Sequence, residues 1–185
     1  MSTLRGSLCL AAALLVAAPL RAAPDQAGVR TRVNALLGSF RPVSAAEWQA
    51  LGPDAAPALE SVARDPHALP TWRARALAAL GVILPSSAAP LVRQIASDPS
   101  VAPVLRAAAV DAAPAVLGRE AVAFLAPLLR DGDRAVRRRS AEALAASGVS
   151  GCQIVVTEDH AHPGQQPLAA AAARCAERLQ RSPDR

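Results

Sequence analysis

The chain has 185 residues, a formal net charge of +5 and 52% hydrophobic residues, which suits a single folded domain with its own core. Aromatic residues make up only 2% of the chain, so aromatic side chains alone cannot fill that core. The positive charge is too mild to indicate a nucleic-acid-binding protein.

A quarter of the residues are alanine, and the chain has no lysine and no tyrosine. Alanine is the best helix former, and its small side chain lets neighbouring helices approach closely. The composition therefore predicts an all-α protein with many close helix–helix interfaces.

Residues 1–23 are predicted to be a signal peptide. Arg5 supplies a positive start, residues 8–16 are apolar but too short to span a bilayer, and the small residues Ala22 and Ala23 mark the cleavage region. The alternatives are an uncleaved anchor or a first helix of the fold. Cleavage would leave 18 arginines against 15 acids, a net charge of +3, in a periplasmic or secreted protein. The rest of the chain is predicted to contain no membrane span.

Residues 24–53 are predicted to form N-terminal capping helices. Val29 to Gly38 has the apolar spacing of a helix that faces a neighbour. Ser44 and Glu47 have the spacing of a capping box, in which each side chain accepts from the other residue's backbone amide.

Residues 54–148 contain a unit that recurs every 33 residues. The sequence from Asp54 to Pro57 returns as Ser87 to Pro90, and Asp65-Pro66 returns as Asp98-Pro99. A fixed period of this length is typical of a stacked repeat array.

Each unit is predicted to be a helix, a turn, a second helix and a loop. Asp54 and Ser87 are predicted to cap first helices, and Pro70 to begin a second helix, where its missing amide costs nothing. Gly81 is predicted to end that helix, and Pro114 to kink or end the next one.

The third unit is predicted to begin with one helix from Glu120 to Arg130. A turn at residues 131–133 and a second helix from Val136 to Ser147 follow it. This turn is two residues shorter than its counterparts in the first two units.

Residues 149–181 are predicted to be a degenerate repeat that caps the array, followed by a disordered tail at residues 182–185. Within the cap we expect a short apolar run, a polar loop from Glu158 to Gln166, and a last helix opened by Pro167. The buried face of that helix is predicted to contain four alanines: Ala169, Ala172, Ala173 and Ala176.

Two cysteines, Cys152 and Cys175, remain after removal of the signal peptide. An even pair in a chain sent to an oxidising compartment predicts a disulfide. The alternative is two buried free thiols.

The unit resembles the HEAT repeat, including the HEAT-like repeats of phycobilin lyases. The residues that carry the resemblance are Asp65-Pro66, Trp72-Arg73, Ala76, Ala79 and Leu80-Gly81, then Asp98-Pro99, Leu105-Arg106, Ala109 and Ala112, then Asp131, Val136-Arg137, Ser140 and Ala143-Leu144. The resemblance implies a short right-handed α-solenoid of HEAT-like helical hairpins. It carries no lyase chemistry over to this chain.

One arginine stands at the same position of each repeat, namely Arg73, Arg106 and Arg137. The resemblance implies a structural ladder, in which these arginines bond to turn carbonyls and to aspartates of the turns. The predicted aspartates are Asp65 and Asp98 in the first two repeats, and Asp131 or Asp133 in the third. The alternative is a column of guanidinium groups that binds an acidic partner.

The densest basic cluster contains Arg134, Arg137, Arg138 and Arg139. It suits phosphate, anionic lipid or an acidic protein, whereas the plainer interpretation is a solvated helix start. Aromatic residues do not alternate with these arginines, so a stacking platform for single-stranded nucleic acid is not expected.

His160 and His162 stand next to Glu158 and Asp159. Histidines two apart chelate a metal only on an extended segment and with further ligands, so a polar loop is favoured and no metal or cofactor is expected. The sequence also contains no catalytic motif, which favours a protein that is not an enzyme.

We therefore expect an exported, monomeric scaffold that binds an unknown protein partner through the concave surface formed by its second helices. The alternative is an arginine-mediated binder of an anionic ligand or of the envelope surface. A metal-binding or enzymatic role at His160 and His162 is the third and weakest hypothesis.

Overall fold

The computed structural model describes residues 25–164 and 166–181, which contain α-helices and short 3-10 helices and no strand. The α-helices are α1 (Gln26–Leu37), α2 (Ala45–Gln49), α3 (Ala56–Arg64), α4 (Pro70–Ile83), α5 (Pro85–Ser97), α6 (Pro103–Leu117), α7 (Ala121–Leu125), α8 (Arg134–Ala146), α9 (Val149–Ala161) and α10 (Gln166–Arg181). The predicted signal peptide and the predicted tail lie outside the described residues.

The helices after α2 form antiparallel hairpins that stack in chain order. The hairpins are α3–α4, α5–α6, α7–α8 and α9–α10, and α7 is extended by a 3-10 helix at Ala126–Arg130. The second helices α4, α6, α8 and α10 each pack against the next one, so they form a continuous layer. We call the solvent-exposed surface of this layer the second-helix face. The predicted all-α solenoid is confirmed.

Prolines begin most of the middle helices. Pro70, Pro85 and Pro103 occupy the first positions of α4, α5 and α6. First-turn amides have no carbonyl partner within the helix, so proline loses no hydrogen bond there, and its fixed φ favours the helix.

The predicted capping box forms at the start of α2. The Ser44 amide donates to Glu47 Oε2 at 2.9 Å, and the Glu47 amide donates to Ser44 Oγ at 3.3 Å. Arg41 pairs with the same carboxylate. The hydrogen bond from Arg41, together with those from the Ser44 amide and hydroxyl, lowers the pKa of Glu47 from 4.5 to about 2.

Aliphatic side chains fill the core, and their positions repeat with the predicted period. Leu59, Val92 and Leu125 are spaced 33 residues apart, and each is completely buried. Burial of one such side chain stabilises a fold by about 1.5–3 kcal/mol. Trp48 is the large aromatic residue buried among them, under the N-terminal end of the array.

Two predicted helix starts differ from the structure. Asp54 lies inside a 3-10 turn at Pro53–Ala55 and makes no capping bond to α3. Ser87 lies within the first turn of α5, because Pro85 already begins that helix, and its hydroxyl donates to the Leu84 carbonyl at 3.1 Å.

The predicted role of Gly81 as a helix end was also wrong, and Pro114 does not end its helix. Gly81 is buried inside α4, where an added Cβ would lie 3.3 Å from a methyl of Val116, so the glycine serves close packing against α6. Pro114 removes one amide from α6, but the helix continues to Leu117. It ends at Gly118, whose φ of +52° lies in the left-handed region that favours glycine.

The first helix predicted for the third hairpin is divided into two parts. The α-helix α7 ends at Leu125, and residues 126–130 continue as a 3-10 helix. Pro127 stands in the first turn of that 3-10 helix and has no amide to donate to the Ala123 carbonyl. The tighter helix therefore takes over at this point.

The C-terminal segment differs most from its prediction. Residues 158–161 belong to α9, so the predicted loop shrinks to a few residues, and α9 and α10 form a further complete hairpin. The error came from Glu158, a polar residue that is nevertheless buried, with 8% of its surface exposed.

The predicted buried face of the last helix is displaced by about one residue. The structure buries Leu168, Ala171, Ala172 and Cys175, whereas Ala169 and Ala173 are exposed. Cys175 is buried and bonded to Cys152 of α9, so the bonded cysteine lies on the buried face of α10.

The stretch from Pro103 to Arg130 is long and apolar enough to cross a membrane by length and composition alone. In the structure Gly118 separates α6 from the following short helices, and α6 packs against α4, α5 and α8. These contacts make α6 the central core helix of the array.

Gly151 allows α9 to approach α8 very closely. An added Cβ at this position would lie 2.0 Å from the Leu144 carbonyl oxygen, which is backbone and cannot rotate away. We therefore expect Gly151→Ala to lower the free energy of unfolding by about 1–3 kcal/mol through overpacking. Chemical denaturation measures the change.

Gly132→Ala is the matched control, because an added Cβ there meets no atom within 4 Å and its φ is not positive. Equal stability of the two variants would show that α8 and α9 are not in close contact.

Candidate functional site

The arginine column hydrogen-bonds to carbonyls at the ends of the first helices. Arg73 Nε donates to the Ala63 carbonyl at 3.0 Å, and Arg106 Nε donates to the Ala96 carbonyl at 3.1 Å. The third member, Arg137, donates from Nη1 to the carbonyl of Asp131 at 2.7 Å. The last carbonyls of a helix lack partners within it, so these guanidinium groups complete the helix ends.

Asp65 and Asp98 do not take part in the ladder as predicted. The Asp65 carboxylate accepts from the His67 amide at 2.8 Å, and the Asp98 carboxylate accepts from the Ser100 amide at 2.9 Å and hydroxyl at 2.6 Å. The Ser100 hydroxyl and amide lower the pKa of Asp98. Both aspartates close their own turns, because a short carboxylate reaches the backbone two residues ahead more easily than a distant arginine.

Asp131 is the aspartate that an arginine of the column does bind. Arg106 Nη1 donates to Asp131 Oδ1 at 3.0 Å, and Nη2 pairs with Oδ2. The arginine belongs to the second hairpin and the aspartate to the turn of the third, so the pair joins neighbouring repeats. The side chains are 6% and 12% exposed.

Burial alone would raise the pKa of Asp131. Hydrogen bonds from Arg106 and from the Asp133 amide, with the charges of Arg106 and Arg137, outweigh burial and lower the pKa. Asp131 is therefore charged at neutral pH, and the doubly hydrogen-bonded geometry suits a guanidinium and a carboxylate.

We expect Arg106→Ala to destabilise the protein by about 3–5 kcal/mol, because it leaves the buried Asp131 carboxylate without its counter-ion. Arg73→Ala removes one hydrogen bond to a carbonyl and should cost about 0.5–1.5 kcal/mol. Urea unfolding of both variants measures the difference. Similar losses would show that the link between repeats adds nothing to the helix-end contact.

Ion pairs also join successive first helices on the other side of the array. Arg93 of α5 pairs with Glu120, and its guanidinium carbon lies 5.3 Å from the ring centre of Phe124. Arg130 donates to both oxygens of Glu158 in α9, each at 2.8 Å. The hydrogen bond and charge of Arg130, with a contribution from His162, outweigh burial and lower the pKa of Glu158.

The histidines lie at the end of α9. His162 Nε2 is 3.4 Å from Glu158 Oε1, and the Glu158 carboxylate is already bound to Arg130. His160 is exposed. The part of the chain that the structure describes contains no cluster of three side chains among His, Cys, Asp and Glu that could hold a metal ion.

The predicted basic cluster is divided by the structure. Arg137 turns toward the carbonyls of its own turn, and Arg139 lies between Asp111 at 3.6 Å and Glu142 at 3.5 Å. Arg134 and Arg138 are exposed and make no ion pair within residues 25–164 and 166–181. Two of the four arginines are therefore available at the surface.

Two further exposed arginines, Arg174 and Arg178, were not identified from the sequence. Both belong to α10, are exposed, and line a groove between α8 and α10. Arg178 Nη1 donates to the Ala145 carbonyl at 2.5 Å. Their spacing of four residues already places them on one helix face, but only the repeat register of α10 places that face beside α8.

A second groove runs between α4 and α6 on the second-helix face. Small side chains line most of its 230 Å³: Ala74, Ala78, Gly81, Val82, Ala108, Ala112 and Ala115. Asp111 stands at its edge. Burial raises the pKa of Asp111, the charge of Arg139 opposes this, and Glu142 adds to the increase. The face thus changes from apolar on α4 and α6 to basic on α8 and α10.

A disulfide joins Cys152 of α9 to Cys175 of α10, with the Cα atoms 4.9 Å apart. Both cysteines are buried, at 1% and 0% exposure. The bond fixes the last hairpin, whose final helix buries mainly small side chains.

We expect the Cys152→Ser, Cys175→Ser double variant to lose about 3 kcal/mol of stability, because the crosslink restricts the unfolded chain over a loop of 23 residues. Denaturation of the oxidised wild type and the double variant measures this. A wild type that melts identically with and without reductant would contradict a stabilising role.

Comparison with protein families matches residues 56–145 to a family model described as HEAT repeats. No curated protein and no solved structure matched the chain.

Proposed function

We propose that this chain, a HEAT-repeat protein by its match over residues 56–145, is an exported scaffold. It binds a partner protein through its second-helix face. HEAT repeats generally mediate protein–protein interaction, and repeat arrays present an extended surface for that purpose. We further propose that it has no catalytic activity and acts as a monomer.

The choice of this face is supported by which arginines already have partners within the chain and which are exposed. The arginines of the column, Arg73, Arg106 and Arg137, donate to backbone carbonyls, and Arg106 also binds Asp131. The column is therefore not proposed as the binding surface. The second-helix face instead carries two grooves and the exposed arginines Arg174 and Arg178.

Export rests on the signal-peptide pattern of residues 1–23. The Cys152–Cys175 disulfide supports it, because disulfides persist in oxidising compartments. We propose the periplasm or the secreted fraction as the location of the mature chain.

Site-specific photocrosslinking in intact cells tests the proposal. A photoreactive residue is introduced at Ala78 or Ala115, which are exposed on the second-helix face, and at Gln153, which is exposed on α9. We expect the first two positions to crosslink the same protein, Gln153 to crosslink none, and the recovered bait to begin at Ala23 or Pro24. Crosslinks from Gln153 alone, or a bait that retains Met1, would contradict the proposal.

The alternative, binding of an anionic ligand or of the envelope surface, is favoured by the exposed Arg134 and Arg138. It predicts binding that is lost when Arg134 and Arg138 are both replaced by glutamate, whereas binding to the apolar groove between α4 and α6 does not depend on these two residues.

A further inference from the structure

We propose that the partner docks through an extended acidic segment, whose carboxylates bind Arg174 and Arg178 along the groove between α8 and α10. We call this groove the arginine groove. The inference rests on the proposed scaffold function and specifies the chemistry of its partner.

The arginines of this groove differ from the others in the partners that they have within the chain. Arg106 and Arg139 have carboxylate neighbours, and Arg137 is held by turn carbonyls. Arg174, by contrast, is exposed and makes no hydrogen bond or ion pair to any residue that the structure describes. Its charge is solvated and available.

Arg178 is held in place and keeps donors free. One of its N–H groups donates to the Ala145 carbonyl across the groove, which orients the guanidinium. A guanidinium has five donors, so the others remain for a ligand. A group already oriented loses less entropy when it binds.

The spacing of the groove suits an extended chain. Arg174 and Arg178 are one helical turn apart, about 6 Å along the axis of α10. Alternate side chains of an extended peptide are about 6.6 Å apart and point the same way. A segment with acidic residues at alternate positions therefore presents one carboxylate to each of the two guanidinium groups.

The floor of the groove admits a backbone. Ala145, Ala146 and Cys175 line it together with Arg174 and Arg178, and the volume of this open groove is 190 Å³. Methyl-sized side chains leave the space between the helices open. Arg174 stands on the α10 side and Glu142 on the α8 side, and the Arg178 guanidinium bridges the two helices at the Ala145 carbonyl.

Glu142 and Glu177 distinguish a peptide from an anionic bilayer. Both carboxylates stand among the arginines, Glu142 at the groove and Glu177 beside Arg181 at 3.1 Å. A uniformly anionic surface would be repelled by them, whereas a peptide with spaced carboxylates avoids them. Charge complementarity therefore favours an acidic peptide segment.

The test uses the oxidised, mature chain and a fluorescent peptide of six Glu-Ser pairs, with anisotropy as the readout at low ionic strength. We expect the wild type to bind, and Arg174→Glu with Arg178→Glu to weaken binding about tenfold, which corresponds to the loss of two exposed charge contacts and their reversal. Melting curves establish that each variant is folded, and Arg174→Gln with Arg178→Gln replaces the reversal if it is not.

Arg30→Glu with Arg32→Glu is the matched control, since both arginines are exposed on α1 and the change in net charge is the same. Equal weakening in the two double variants, or no binding by the wild type, would overturn the proposal. Binding of phosphatidylglycerol vesicles that depends on Arg174 and Arg178, without binding of the peptide, would overturn it in favour of a membrane surface.

The two proposals fail in distinguishable ways. If Ala78 and Ala115 still crosslink their partner in the Arg174→Glu, Arg178→Glu background, the scaffold stands and the acidic segment does not. If the peptide binds but the second-helix face crosslinks no protein, the groove is real and the scaffold proposal fails.

Discussion

The buried pair between Arg106 and Asp131 is the contact on which the relative position of neighbouring repeats most depends. Arg106 binds the end of its own first helix through the Ala96 carbonyl and the turn of the next hairpin through Asp131. The apolar core consists largely of alanine, valine and leucine, and small side chains pack together in more than one way. A hydrogen-bonded pair with fixed geometry gives the neighbouring repeats one relative position.

The two sides of the array differ in whether their arginines are paired. On the first-helix side, Arg93 forms an ion pair with Glu120, and Arg130 forms one with Glu158. The second-helix face is left with small side chains on α4 and α6 and with exposed arginines on α8 and α10. Because these ion pairs lie on the first-helix side, the exposed arginines of the second-helix face are available to bind a partner.

Periodicity made most of the fold predictable from the sequence. The 33-residue spacing of Leu59, Val92 and Leu125 predicted their burial, and Pro70 and Pro103 marked helix starts. The failures were local. Glu158 is buried but suggested a loop, because its partner, Arg130, is far away in sequence. Nothing in a single repeat reveals such a contact.

The candidate site was less predictable for the same reason. One arginine per repeat identified the column. The resemblance to HEAT repeats implied Asp98 as the partner of Arg106, whereas the pairing with Asp131 crosses a repeat boundary. Arg174 and Arg178 escaped notice because α10 lies beyond the regular repeats, so its face against α8 could not be deduced from the period.

A double-mutant cycle on Arg106→Met and Asp131→Asn tests the central claim most directly, because the cycle cancels the separate loss of the contact with the Ala96 carbonyl. If the pair joins the repeats as the structure shows, unfolding free energies of the two single variants and the double variant should give a coupling of about 1–3 kcal/mol. Additive losses, with a coupling near zero, would contradict it.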